Sequence, residues 1–406
     1  MNRPRSYLLA LAALLSAPLA MSQPAAPAAE TQAAGSELPY PPTRSPQPDQ
    51  IVHVPTGLGM SFDDMMEMVS GARLVFVGES HDSFQAHQVQ LQIIRDLERR
   101  FPGRVAIGME MFRQPQQETL DRWSQGRLTE LEFLQAIRWQ KSWGVDFGNY
   151  KAILDFARDR HIDLVALNPP TDLQDQVRRH GLDSLPDEVR SQLPEIGEPD
   201  PYEHAVMQAI YGAHLPTEGA FEAFFRVQLL WEESMAERVV GYLGSARGQG
   251  KVMVVLAGAG HVEYGFGVPK KVLRRLPLPY TIIAPTEIEV PPEKQMPGVE
   301  LPAIPLLPSD FVWWIRYEDL AADTVRLGVG IDDSQGTLAV QSVAGGSPAE
   351  SAGLRVGDEI TSFAGHAVAD VTTLVYWVGQ QEKGTSAIVT IRRAGTPLDL
   401  RVEFRP

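Results

Sequence analysis

The sequence predicts an α/β protein in which a mainly parallel sheet is flanked by helices and roofed by a helical lid, with a small, mostly β module behind it. Three observations carry that prediction. Five runs, "RLVFVG" (73–78), "RVAIGM" (104–109), "IDLVAL" (162–167), "KVMVVLAG" (251–258) and "YTIIA" (280–284), are apolar almost throughout, as strands buried on both faces must be. Helical periods separate them, and strand and helix in turn build a parallel sheet covered by helices. Past a proline-rich stretch at 284–310, short strand-like runs and two helical segments make a second block.

Taken in order, the chain opens with two arginines in Met1 to Ser6, an apolar stretch from Tyr7 to Met21 and the small residues Ala20-Met21-Ser22. This is the pattern of a secretory signal over residues 1–22, and the protein is expected to be exported to the periplasm or envelope. The apolar stretch is shorter than the ~20 residues a spanning helix needs, though an uncleaved anchor remains an alternative. Residues 23–56, rich in Pro, Ala, Ser and Gln, read as a disordered linker. The larger domain follows at 57–286, a proline-rich linker at 287–312 and the small module at 313–406.

Within the larger domain, Ser61 with Asp64 can cap a helix whose Phe62, Met65, Met66 and Val69 share a face. From Phe84 to Arg100, Ala86, Val89, Ile93 and Leu97 form one helical stripe. A helical insertion spans about 170–245, and its segment "FEAFFRVQLLWEESMAERVV" (221–240) is apolar on more than one face, which suits a roof over a cavity.

Composition narrows the function. A formal net charge of -15 argues against nucleic acid as a partner, because a phosphate backbone requires clustered positive charge. With no cysteine in 406 residues, disulfides, thiolate ligands, a cysteine nucleophile and a lipid-modified cysteine are all excluded. The chain is therefore not a lipoprotein of the acylated-cysteine kind.

In open parallel sheets ligands sit at the carboxyl ends of the strands. Three of the expected strands end in ionisable groups: the first in Glu79 and His81, the second in Glu110, the fourth in His261. Singly, either glutamate could cap a helix and either histidine could be a hydrogen-bonded core residue. The same placement at three strand ends points instead to one shared site. His81 and His87 stand six apart and do not share a helix face, so His87 is set aside and no HExxH pair is read. Gly258-Ala259-Gly260-His261 lacks the glycine spacing and lysine of a phosphate loop, and no GxSxG elbow is present.

The motifs "VFVGESHD", "GMEMF", "Q..LD.W..G.L...EFL", "W...WG.DF..Y", "LLWEESMAERV" and "VVLAGAGHVEYGFGVP", in this order over roughly 58–285, resemble the ChaN-like haem-binding proteins, relatives of the Tiki and erythromycin-esterase-like superfamily. The resemblance implies a sheet domain with a helical lid, an envelope location and haem bound through a tyrosine at a homodimer interface. A haem needs apolar walls and an axial donor. The stretch 138–154 supplies Trp139, Trp143, Phe147 and Tyr150 beside Arg138 and Lys141. Tyr150 matches the motif's tyrosine and is the first candidate for the iron, with Tyr264 and Tyr211 as competitors. His81, His261, Glu79 and Glu110 complete the expected cofactor site, and no catalytic residue is assigned. The wider superfamily implies an alternative, a metal-dependent hydrolase or peptidase in which His81 and His261 hold a divalent metal and Glu79 or Glu110 is the base.

In the small module, "GSPAESAGLRVGDEI" resembles the PDZ domains of bacterial envelope proteins such as HtrA-type proteases. That resemblance implies binding of an extended peptide or protein C-terminus as an added strand. Backbone amides of Leu327, Gly328, Val329 and Gly330 would hold the carboxylate, and Ile331 would continue the edge strand. A module that docks on its own chain is the alternative.

Overall fold

The computed structural model describes residues 45–182, 184–215, 217–295, 302, 304–320 and 324–405. The expected signal segment and most of the first linker lie outside the described residues. Two compact units are formed: one from the residues up to Gln125 with Gly148–Glu318, the other from Gly126–Phe147 with Asp319 onward.

In the larger unit the elements run β1 (Ile51–His53), β2 (Leu58–Met60), α1 (Phe62–Val69), β3 (Leu74–Glu79), α2 (Phe84–Arg100), β4 (Val105–Arg113) and α3 (Gln117–Ser124). After the excursion into the second unit come α5 (Gly148–Asp159), β5 (Asp163–Asn168), α6 (Thr171–His180), α7 (Pro201–Tyr211), α8 (Glu218–Gly244), β6 (Val252–Gly258), α9 (Val268–Arg275), β7 (Tyr280–Ile288) and β8 (Phe311–Arg316). All five expected strands are present, each displaced by no more than a few residues at its ends. Ser61 caps α1 by accepting from the amide of Asp64.

The strands form one sheet in the order β2-β1-β8-β7-β3-β6-β4-β5, parallel from β8 to β5, with β1 and β2 antiparallel at one edge. Every residue of β3, β5 and β6 is buried. Leu74, Phe76, Met253 and Val255 of the sheet share a core with Leu230, Met235 and Val239 of α8. The long insertion between β5 and β6 matters most for function. It returns the chain so that β6 pairs between β3 and β4, making the ends of β3, β6 and β4 immediate neighbours.

Three sequence-based boundaries are corrected. Ile51–His53 is a sheet strand, so the linker expected to reach 56 ends earlier. Phe311–Arg316 pairs with β7 and β1, so the larger domain runs past 286 and the linker and module boundaries at 312 and 313 fall inside its last strand. The prolines before it suggest a linker, yet Phe311, Trp313 and Ile315 alternate inward and cover the edge of β7. Residues 126–147 belong with the second unit.

That unit holds α4 (Glu130–Ile137), β9 (Val329–Asp332), β10 (Leu338–Val343), α10 (Pro348–Ala352), β11 (Glu359–Phe363), β12 (His366–Ala367), α11 (Val371–Gly379), β13 (Ser386–Arg393) and β14 (Thr396–Glu403). Its antiparallel sheet has the order β14-β13-β11-β10-β9, with β12 on β11. β9 is therefore an edge strand, paired with β10 alone among the described residues. Gly328, with φ +82°, sits where a side chain would strike Ser347, so the turn into β9 requires glycine. Among the described residues of both units no helix is long and apolar enough to cross a membrane.

Candidate functional site

The carboxyl ends of β3, β6 and β4 gather the four expected ionisable residues into one buried centre. Glu79 closes β3, its backbone in register with Gly258 at the end of β6. His81, two residues on, donates from Nδ1 to Glu79 Oε1 at 2.7 Å. Glu110 reaches across from β4 to accept the amide of Gly258 at 2.7 Å. His261, in the turn after β6, places Nε2 3.6 Å from Glu110 Oε1. Gly258 is tightly circumscribed: a Cβ there would lie 3.1 Å from His81 Cε1, so glycine lets the ring rest against the strand end.

Each imidazole is oriented by a carboxylate behind it. Behind His81 stands Glu79; behind His261 stands Glu232 of α8, accepting from Nδ1 at 3.0 Å. Both arrangements aim Nε2 away from the supporting carboxylate, the logic by which acid–base histidines are held in one tautomer. Glu79 also accepts from the Tyr150 hydroxyl at 2.7 Å and from Gln90 Nε2 at 2.8 Å. Burial pushes the Glu79 carboxyl up, but the charge of His87 and the bonds from His81 and Gln90 overturn that and hold it at about 2. Burial likewise pulls His81 and His261 down, and the carboxylates around them raise both above the ordinary histidine value. Glu110 Oε1, though fully buried, has no hydrogen-bond partner among the described residues. A buried acceptor left this way costs about 1–3 kcal/mol and marks a place kept for something other than stability.

The sequence did not disclose the supporting layer. Lys271 of α9 is buried and donates to Glu232 Oε2 at 2.7 Å and to Glu203 Oε1 of α7 at 2.9 Å. Glu232 is pushed up by burial but held low by Lys271 and His261, whereas burial and the neighbouring Glu232 charge raise Glu203. His87, set aside on spacing, belongs to the centre: Nε2 faces the His81 carbonyl at 3.1 Å and Nδ1 faces Gln90 Oε1 at 3.1 Å. Its ring lies 4.3 Å from that of Tyr150. Spacing failed here because His81 lies in the turn before α2, which folds back over the helix's first turn. Glu232 stood in the quoted "LLWEESMAERV" run, the one sequence signal that could have found it.

The tyrosines separate into two environments. Tyr150, the first candidate for an iron, is wholly buried with its hydroxyl committed to Glu79. Tyr211 is buried in the apolar cluster of the lid. Tyr264 lines a shallow pocket enclosing about 20 Å³ with Val206, Met207, Ile210, Gly260 and Phe266, and with Glu203 and Glu263 as its acidic members. Its backbone has φ 56°, a left-handed conformation uncommon for a bulky residue and one that gathers at ligand sites. The Tyr264 ring stacks on Phe266 at 5.8 Å, and Phe266 on Tyr202 at 6.4 Å, making an aromatic shelf.

Two groups are expected here, a haem and a divalent metal. For a haem the pocket offers an apolar wall, an aromatic shelf and a phenol, the donor chemistry of tyrosine-ligated iron. For a divalent metal, no three His, Asp or Glu among the described residues converge as ligands.

A parallel sheet with an ionisable centre at its strand ends and a helical lid defines a ligand-handling α/β protein, here joined to an antiparallel module. The family described as haem-binding uptake, Tiki superfamily, ChaN, matches residues 65–272, and the chain belongs to it. Residues 325–404 match the PDZ domain. Among solved structures, one titled "Cofacial heme binding to ChaN of Campylobacter jejuni" is 17% identical with a TM-score of 0.50, covering 65% of this chain and 95% of that one. The HtrA-type protease AlgW with a decapeptide (24% identity, TM-score 0.19) covers 20% of this chain and 30% of its own. A serine endoprotease from Yersinia pestis (22% identity, TM-score 0.19) covers 20% and 29%. A search of curated proteins returned no match.

Proposed function

We propose that the chain is an exported haem-binding protein that takes up or handles haem in the cell envelope, and that its PDZ module binds an extended peptide or protein C-terminus. The observation that carries this reading is the pocket in which Tyr264, in a left-handed backbone conformation, stands beside an aromatic shelf. Family membership supplies the ligand class. We assign the iron to Tyr264 rather than Tyr150, because Tyr150 would have to leave both its packing and its bond to Glu79. Haem bound there would supply a ferric iron as a Lewis acid. The enclosed space is about 20 Å³, room for a water-sized body, so a macrocycle would lie against the pocket's mouth and be covered only in part. The uncovered remainder is what a second copy would complete, which supports a homodimer. Export rests on the N-terminal segment 1–22.

Burial and the Glu263 carboxyl raise the Tyr264 phenol above its ordinary value. Tyr264 must give up its proton to bind iron, so affinity is expected to rise with pH, by up to about tenfold per unit below the phenol pKa. Titration of the full chain with ferric haem, followed in the visible spectrum, tests this. Saturable binding with a tyrosinate charge-transfer band, lost in Tyr264→Phe and retained in Tyr150→Phe, is the expected result. Binding abolished by Tyr150→Phe and untouched by Tyr264→Phe would reverse the assignment, and no saturable binding would end the reading.

A second reading, a hydrolase or peptidase of the wider superfamily, is favoured by one observation: carboxylate-backed His261 faces the partnerless oxygen of Glu110, whose charge also acts on the carboxylate-backed His81. This geometry supports proton transfer by His81 or His261. It offers nothing comparable for the divalent metal.

A further inference from the structure

The segment between α3 and α5 leaves the larger unit after Gln125 and rejoins it at Gly148, and in between it is part of the same compact unit as the PDZ module. Contacts among the described residues fasten it there. Gln135 of α4 donates from Nε2 to Thr373 Oγ1, in the first turn of α11, at 2.8 Å. Six residues on, Lys141 Nζ lies 2.7 Å from Asp333 Oδ1, immediately past the end of β9. The segment is itself well formed: Thr129 and Glu132 make a reciprocal cap on α4, and Trp139 donates to the Val145 carbonyl at 2.6 Å and meets Phe147 edge-on at 5.4 Å.

We propose that Gly126–Phe147 is the resident partner of the PDZ module, a clamp at the far end of β9 that a long peptide must displace. The inference rests on the reading that the module binds extended peptides. An added strand with its carboxylate at Leu327–Gly330 runs antiparallel to β9, so its upstream residues travel toward Asp332. At about 3.4 Å per residue, four residues pair along β9 and the fifth arrives at Asp333, where Lys141 sits. A ligand of four residues fits without disturbing the clamp. A longer one must release Lys141 and take its place, which favours a C-terminus carrying Lys or Arg at about the fifth position from its end. Lys141 is more than half exposed and its bond is a surface ion pair, so the clamp is weak enough to be opened by a ligand.

The test uses the full chain and two probes: a free-acid decapeptide selected from a random C-terminal library on this protein, and the tetrapeptide of its last four residues. Binding of each is measured to the wild type, to Gln135→Ala/Lys141→Glu, and to Lys141→Glu/Asp333→Lys. The first variant opens the clamp and should raise decapeptide affinity about tenfold while leaving the tetrapeptide unchanged. The second exchanges the charges, closing the clamp and removing the carboxylate the decapeptide would take, and should lower its affinity to the wild-type value or below it. No gain, or the same gain for both probes, overturns the clamp and leaves the peptide reading standing. Failure of every decapeptide to bind wild type and variants alike overturns the peptide reading and the clamp with it.

Discussion

Replacing Lys271 by methionine is expected to destabilise the protein by about 3–5 kcal/mol in a denaturant titration, the cost of breaking a buried ion pair from one side. The ammonium lies between Glu203 and Glu232, at 2.9 and 2.7 Å. Burial alone would pull it down, and the two carboxylates hold it far above the ordinary lysine value. Methionine fills a similar volume, so the loss is electrostatic rather than a cavity. Without Lys271, Glu232 is left with His261 and Glu203, and Glu203, its carboxyl raised by burial and by the Glu232 charge, must stay protonated in an apolar setting. Adding Glu203→Gln should cost little further in that background, less than it costs in the wild type, since the two residues share a network and their effects do not add. A loss below about 1 kcal/mol, or strict additivity, would mean the triad does not hold α7, α8 and α9 together.

The second large effect is an acid transition centred on the same network. Glu79 and Glu232 are each held at about 2, against an ordinary value of 4.5. A carboxyl depressed in the folded state contributes stability that is complete above 4.5 and is lost as pH falls toward 2. Each is worth about 3 kcal/mol on that account. His81 and His261 act in the opposite sense, raised above the ordinary 6.5, so their contribution is complete below that value and fades as pH climbs through the folded pKa. Stability is therefore expected to peak between about pH 4.5 and 6.5 and to fall steeply on the acid side. Chemical unfolding measured from pH 2 to 9 checks this, and Glu79→Gln should flatten the acid limb by roughly half. An acid limb of the same steepness in Glu79→Gln would mean Glu79 is not the carboxylate responsible.

Much of this architecture was legible in the sequence because its signals are local. Runs such as "KVMVVLAG" state that a strand is buried on both faces, and parallel strands must end at one edge, which is why Glu79, His81, Glu110 and His261 meet across nearly two hundred residues. The supporting layer was not legible. Glu203, Glu232 and Lys271 come from three helices whose mutual placement no local pattern encodes, and α8 is apolar on several faces, which hides a functional carboxylate among core residues. The larger unit's last sheet strand was masked by prolines that mark a linker just as readily as the approach to an edge. The clamp was unreadable for a related reason: its partners lie more than 190 residues away, at Asp333 and Thr373.

All of this depends on two histidines from different strand ends sharing one carboxylate. Proton titration of His81 and His261 by NMR, in the wild type and in Glu110→Gln, measures that sharing directly. Both rings should stay protonated above the ordinary histidine range in the wild type, and both pKa values should fall together in the variant, since the charge of Glu110 raises each. Rings that titrate unperturbed, or a variant in which one moves without the other, would contradict a common centre.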